Sequence, residues 1–202
     1  MSIGNNGLIN EGGYWIGEFI QDEHCYDASL ANSLATFFQK EWKEGMKLCD
    51  LGCGMGDYVK YLRSKGMECD GYDGNPSTPH LSNQTCKVLN LAVPHTFEES
   101  YDWVLSLEVG EHIPKKYEQI FVDNLHLNNK KGIVLSWAVK GQGGYGHFNC
   151  QDNPYIKQIF KNLGYTNDIA AENTMRKHSS LPWFKNTLMV FRKFPQQSAL
   201  KT

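Results

Sequence analysis

Residues 48–57 read Leu-Cys-Asp-Leu-Gly-Cys-Gly-Met-Gly-Asp, and the fold is decided there. Glycines at 52, 54 and 56 follow a short apolar run and precede Tyr58, Val59 and Leu62 at helical spacing, so they sit where a strand turns into a helix. Glycine lets the backbone pass close beneath a ligand at such a turn, and the N–H groups of the helix start then face that ligand. The spacing argues against a dinucleotide. A dinucleotide fingerprint places its third glycine three residues after the second. Here that place, position 57, is an aspartate, an anion where a pyrophosphate would need to lie.

The remaining pattern, acid-x-Gly-x-Gly-x-Gly from Asp50 to Gly56, resembles motif I of the class I S-adenosylmethionine (SAM) methyltransferases. A second apolar strand, Met67 to Tyr72, ends in Asp73, roughly 20 residues beyond the glycines, where a Rossmann-type sheet places the acid that receives a ribose hydroxyl pair. The resemblance implies SAM as cofactor. It also implies a binding set: Asp50 facing the methionine moiety, the loop Gly52, Cys53, Gly54 and Gly56, then Asp73 and Gly74, Asn90 and Leu91, and Leu107 with Glu108. At 90 the family pattern often has aspartate meeting the adenine amino group. Asn90 departs from it but can make a similar hydrogen bond. Cys53 reads chiefly as a small filler of the loop.

Outward from this stretch the chain alternates strands and helices. An amphipathic helix near 27–42 (Leu30, Leu34, Phe37, Phe38, Trp42) precedes strand one at 46–51. A helix at 57–65 stops at Gly66, and strand two ends at Asp73. Residues 74–85, rich in Asn, Pro and Ser, read as loop with at most a short helix. Short strand three (87–90) and strand four (101–107) come next. Pro114 suits the first turn of a helix whose inner face carries Tyr117, Ile120, Phe121 and Leu125. Strand five is 132–137, and a helix capped by Asp152 or Asn153 runs to about 162. Strands at 166–171 and 187–193 close the pattern with no clear helix between them. The expectation is a doubly wound, mainly parallel, seven-stranded α/β sheet of the Rossmann-like methyltransferase kind, ending in an antiparallel hairpin.

A chain of 202 residues fits a single domain: an N-terminal arm and helix over 1–44, a core over 45–193, and a tail over 194–202. Residues 1–13 are polar and glycine-rich, an arm able to order over a ligand, with Trp15 and His24 either part of a lid or packing that arm down. No apolar run approaches the roughly 20 residues of a membrane span, and the first residues lack a basic then apolar leader, so the expectation is a cytoplasmic protein with no membrane partner. Six cysteines without a Cys-x-x-Cys pair read as reduced residues, with Cys49, Cys69 and Cys86 in or beside strands. The net charge of −2 and scattered lysines disfavour long nucleic acid and point to a small or neutral acceptor. Oligomeric state is not legible.

After strand four the chain reads Glu108-Val-Gly-Glu111-His112, and His147 falls in the loop after strand five, the neighbouring strand in this topology. Two carboxylates and two imidazoles suit a hard-to-borderline divalent ion such as Mg²⁺ or Mn²⁺. The pattern resembles the metal site of plant small-RNA 3′-terminal methyltransferases, and a similar turn occurs in ubiquinone-pathway O-methyltransferases. Many methyltransferases of this fold carry a Glu-His pair there with no metal. Glu111, His112 and His147 therefore stand as catalytic candidates, with a histidine as base, and Glu108, Glu111, His112 and His147 as metal candidates; a structural role is the third reading. Trp15, Trp137, Tyr145, Phe148 and Trp183, with Gln142, Asn149 and Gln151, fall near this site and suit a sugar ring. The run over 141–149 is similar to methyltransferase-like domains that accompany glycan-building enzymes, so a sugar or glycan hydroxyl is the expected acceptor. An RNA 3′-end ribose, a catechol-type small molecule, and a non-catalytic SAM-binding subunit are the alternatives.

Overall fold

A computed structural model describes residues 9–17 and 25–194. Seven strands form one sheet in the order β3-β2-β1-β4-β5-β7-β6. The first five, Lys47–Leu51, Glu68–Asp73, Lys87–Val88, Tyr101–Ser106 and Asn129–Leu135 (β1 to β5), run parallel. Tyr165–Asn167 (β6) and Met189–Lys193 (β7) close the sheet antiparallel. From β1 the chain winds outward to β2 and β3, then returns to place β4 and β5 on the other side. Such a reversal opens a crevice beyond the carboxyl ends of β1 and β4.

Side-chain alternation on the central strands supplies two cores. Leu48, Trp103 and Val134 face a layer made by the helices Ala28–Glu41 (α1), Asp57–Ser64 (α2) and Ile169–His178 (α6), which adds Leu30, Leu34, Phe38, Val59, Leu62 and Met175. Cys49, Val104 and Ile133 face the opposite layer, where Glu118–Leu127 (α4) and Asn153–Asn162 (α5) contribute Phe121, Leu125, Ile156 and Phe160. The sheet is covered on both sides, as parallel strands require. Thr78–Leu81 (α3) is the short helix allowed for after β2. Among the described residues no helix is long and apolar enough to cross a membrane.

Three expectations change. The segment 166–171 is strand only as far as Asn167. Asp168 accepts a hydrogen bond from Ala171 N through its side chain and caps α6. The closing strands do pair antiparallel, but α6 and Phe184–Thr187 (α7) connect them in place of a hairpin turn. Pro114 precedes a 3-10 turn, Lys115–Tyr117, and α4 starts only at Glu118.

Asp27 caps α1 by accepting from Leu30 N (2.9 Å) and also takes Ser180 N, Ser180 Oγ and Leu181 N at 2.7–2.8 Å. One buried carboxylate thus fixes the α1 start to the segment between α6 and α7. Burial pushes its pKa up, but these donors, Leu181 and Leu30 foremost, outweigh burial and hold it below the usual carboxylate value.

Candidate active site

A crevice opens at the reversal, and its cofactor side is built from backbone turns. Gly52, Gly54 and Gly56 all take left-handed φ (91°, 54° and 78°). Gly52 N and Cys53 N donate to Tyr72 O (2.7 and 3.0 Å), which pins the loop across the end of β2. A Cβ on Gly52 would collide with the Val109 side chain, so this position is closed to other residues on two counts. Asp73 accepts from Gly54 N (2.9 Å) and Asn75 N (2.9 Å), so the acid that ends β2 is fixed in place by the glycine loop and by the turn that follows it.

Of the anticipated cofactor set, Asp50, Gly52, Cys53, Gly54, Asp73, Gly74, Leu91, Leu107 and Glu108 line the crevice. Gly56 instead lies behind the loop as the start of α2. Asn90 stands outside the lining, its Oδ1 accepting from Ala92 N (2.9 Å). Asp50 is buried, and burial, then Cys86 and Asp73, push its carboxyl well above the usual range. A ligand bringing an ammonium group to this wall would reverse that penalty, so the chemistry of the lining fits the amino-acid end of SAM.

The other side is assembled from three distant segments. Residues 9–17 make a tight turn, closed by an Ile9–Trp15 bridge and by Asn10 N donating to Tyr14 O (2.8 Å). Tyr14 covers Gly74, Gly13 lies against the His112 backbone, and the Trp15 ring stands 5.9 Å from His112 and 5.3 Å from Tyr145. Trp15, Tyr145, Gln142 and Trp183 line the crevice as anticipated. Trp137 does not: it is fully buried, with Nε1 donating to Asn149 O (2.7 Å), so it belongs to the core. Phe148 is exposed outside the lining, and Asn149 and Gln151 bond to Glu118, Asn149 at 2.9 Å. His24 lies outside the described residues. Tyr58 and Phe184 also line the crevice. The sequence reading took Tyr58 for ordinary helix packing and had no helix at Phe184, which starts a four-residue helix without a side-chain cap to announce it.

Glu111, His112 and His147 each bring one ligand atom within 4.8 Å of the others. Glu111 is fully buried, and neither carboxylate oxygen makes a well-aligned hydrogen bond, although the backbone N–H groups of Glu111 and Ala138 and the Glu108 carboxyl lie close to it. Burial, and then the nearby Glu108 carboxylate, drive its pKa well up. His112 Nδ1 faces Gly146 O (3.1 Å) and His147 Nδ1 faces Gln142 O (3.2 Å). Each carbonyl selects the tautomer with its proton on Nδ1, leaving a lone pair on Nε2; the rings meet edge-on at 5.0 Å. Glu108 stands outside this group. Its φ of 52° turns it aside, Gln142 Nε2 donates to Oε2 (2.7 Å), and Thr187 Oγ1 donates to Oε1 (3.1 Å). Three of the four metal candidates therefore come together, and an orphaned buried carboxylate beside two imidazoles fits a divalent cation.

The chain matches known proteins on the same ground. A family model described as a methyltransferase domain matches residues 23–168. Tocopherol O-methyltransferase of Arabidopsis thaliana, a chloroplastic protein, is 33% identical over 115 residues, which is 50% of this chain and 32% of that one; the match thus spans about a third of the relative's length. Magnesium protoporphyrin IX methyltransferase from Synechocystis, solved with S-adenosylhomocysteine (SAH), superposes with a TM-score of 0.63 at 17% identity, covering 81% of this chain and 82% of that one. A TehB-like SAM-dependent methyltransferase from Corynebacterium glutamicum gives 0.59 at 15% identity, over 87% and 92%. The chain belongs to the methyltransferase domain family, and its fold is that of neighbours solved with SAH or SAM.

Proposed function

We propose that this member of the methyltransferase domain family transfers the SAM methyl group to a hydroxyl oxygen of a sugar or glycan, choosing one of two adjacent hydroxyls. The grouping of Glu111, His112 and His147 at the acceptor end of the crevice carries the reading. SAM supplies a methyl group already activated on a sulfonium, so the chain has to align an oxygen with it and dispose of one proton. Asp50 and the loop 52–56 hold the donor's amino-acid end, and Asp73 holds its ribose. Trp15 and Tyr145 flank the acceptor ring.

A divalent cation held by Glu111, His112 and His147 would supply a Lewis acid that grips adjacent hydroxyls. Glu111 then carries the balancing charge, and the Nδ1 bonds to Gly146 and Gln142 keep both rings aimed. Without a cation, His112 or His147 accepts the acceptor proton at Nε2. The relative's name, an O-methyltransferase, agrees in the atom methylated. The tilted Trp15–Tyr145 pair (32° between rings) favours one second reading, a catechol-type acceptor, whose flat ring also carries paired hydroxyls.

The test is a labelled-methyl transfer screen against sugars, catechols and short RNAs, with Mn²⁺ or with EDTA. Transfer to a vicinal sugar diol that EDTA abolishes is the expected result. Transfer insensitive to EDTA but lost in His147→Ala removes the cation and keeps the base. SAH binding with no transfer to any hydroxyl acceptor would overturn the proposal.

A further inference from the structure

Beneath the glycine loop lies a thiol pair that methyl transfer does not use. Cys53, between Gly52 and Gly54, and Cys86, just ahead of β3, are both buried and free. Gly71 on β2 makes room for both sulfurs: a Cβ there would lie 2.5 Å from Cys86 Sγ and 3.1 Å from Cys53 Sγ. A Cβ on Gly56 would lie 2.6 Å from the same Cys86 sulfur, which therefore reaches under the far end of the loop as well. Thr85 Oγ1 is 3.7 Å from it.

The two thiols differ in character. The neighbouring Cys53 thiol, against the opposing pull of burial and with help from Thr85 and Ser82, lowers the Cys86 pKa to about 6. The Cys86 sulfur in turn, then burial, pushes Cys53 well above the usual thiol value. A thiolate held against a protonated thiol is the arrangement of a nucleophile and its resolving partner. Cys53 also forms part of the crevice wall, so a small solute in the cofactor site meets Cys53, with Cys86 buried behind it.

We propose that Cys53 and Cys86 form a redox modification site, converted by hydrogen peroxide into an intramolecular disulfide that disables the cofactor loop. The Cys86 thiolate attacks one peroxide oxygen; the O–O bond breaks, hydroxide leaves, and Cys86 becomes a sulfenic acid. The Cys53 sulfur then displaces that oxygen as water, losing its own proton, so two thiols and one peroxide give one disulfide and two waters. The bond ties the residue between two left-handed glycines to the start of β3 and pulls the loop off the line its N–H groups need. Bound SAH covers Cys53 and shields the pair. Neither the acceptor nor the cation enters this proposal.

The experiment treats reduced protein with hydrogen peroxide, maps disulfides by mass spectrometry and measures SAH affinity by calorimetry. A Cys53–Cys86 linked peptide should appear, with SAH affinity lower by at least about tenfold. Dithiothreitol should restore it, and SAH added beforehand should slow the linkage. Cys86→Ser, with Cys86→Ala in reserve should serine not fold, should bind SAH within about twofold of wild type and lose the peroxide response. Oxidation confined to Cys25 or Cys150, a linked peptide with unchanged SAH affinity, or variants that remain peroxide-sensitive would each overturn the proposal.

Discussion

The two sides of the crevice are made differently. The cofactor side is a backbone surface: left-handed glycines, N–H groups pinned on Tyr72 O, and an aspartate fixed by two backbone donors, all within residues 50–75. The acceptor side is a side-chain surface drawn from residues 9–17, 108–112 and 142–147, held by carbonyls that orient two imidazoles. Backbone geometry tolerates almost no substitution, whereas side-chain geometry can be retuned residue by residue. The contrast explains how one donor site can serve many acceptors.

The sharpest break of this contrast is Gly52→Val. Left-handed φ costs an ordinary residue roughly 1–2 kcal/mol and overpacking against Val109 roughly 1–3 kcal/mol, so SAH affinity should fall about 100-fold by calorimetry. Unchanged affinity would mean that the loop is not a rigid cradle. On the other side, Glu111→Gln should weaken Mn²⁺ binding by about 10-fold or more and leave SAH binding as it was. The cation-free protein should not lose thermal stability, because burial already disfavours the charged form of Glu111. For the same reason wild-type affinity for Mn²⁺ should climb as pH rises, since binding needs Glu111 deprotonated. Trp15→Ala should raise the acceptor KM several-fold, about 1 kcal/mol of lost ring contact, with kcat and SAH affinity little changed. A matching loss of SAH affinity would show that the sides are not separable.

A further effect, on stability rather than on binding, concerns the scaffold beneath both. Asp27 has a depressed pKa, so its contribution is present above the unfolded carboxylate value and is lost as pH falls through the folded one. Asp27→Asn should therefore cost roughly 1–3 kcal/mol at neutral pH and flatten the acid limb of the stability profile, read by thermal melts between pH 3 and about 7.

The same contrast decides what the sequence revealed. Gly52, Gly54 and Asp73 were legible because backbone demands leave a local trace: only certain residues take those φ values, and the strand spacing fixes the acid. Glu111, His112 and His147 were legible as a group because the order β1-β4-β5 brings successive strand ends together. Glu108 was not separable from them by spacing. Its exclusion depends on a left-handed φ and on Thr187, far along the chain. Trp137 read as a crevice aromatic because it follows β5, yet the return of Asn149 buries its indole. Ile169-Ala-Ala read as strand, and the overlooked cap at Asp168 made it helix.

The turn over residues 9–17 touches both sides at once, with Tyr14 over Gly74 and Trp15 beside His112. A strap lying across two compartments predicts ordered traffic, donor first and its spent form last: SAH should compete with SAM in steady-state kinetics, and competition between SAH and the acceptor would contradict that order.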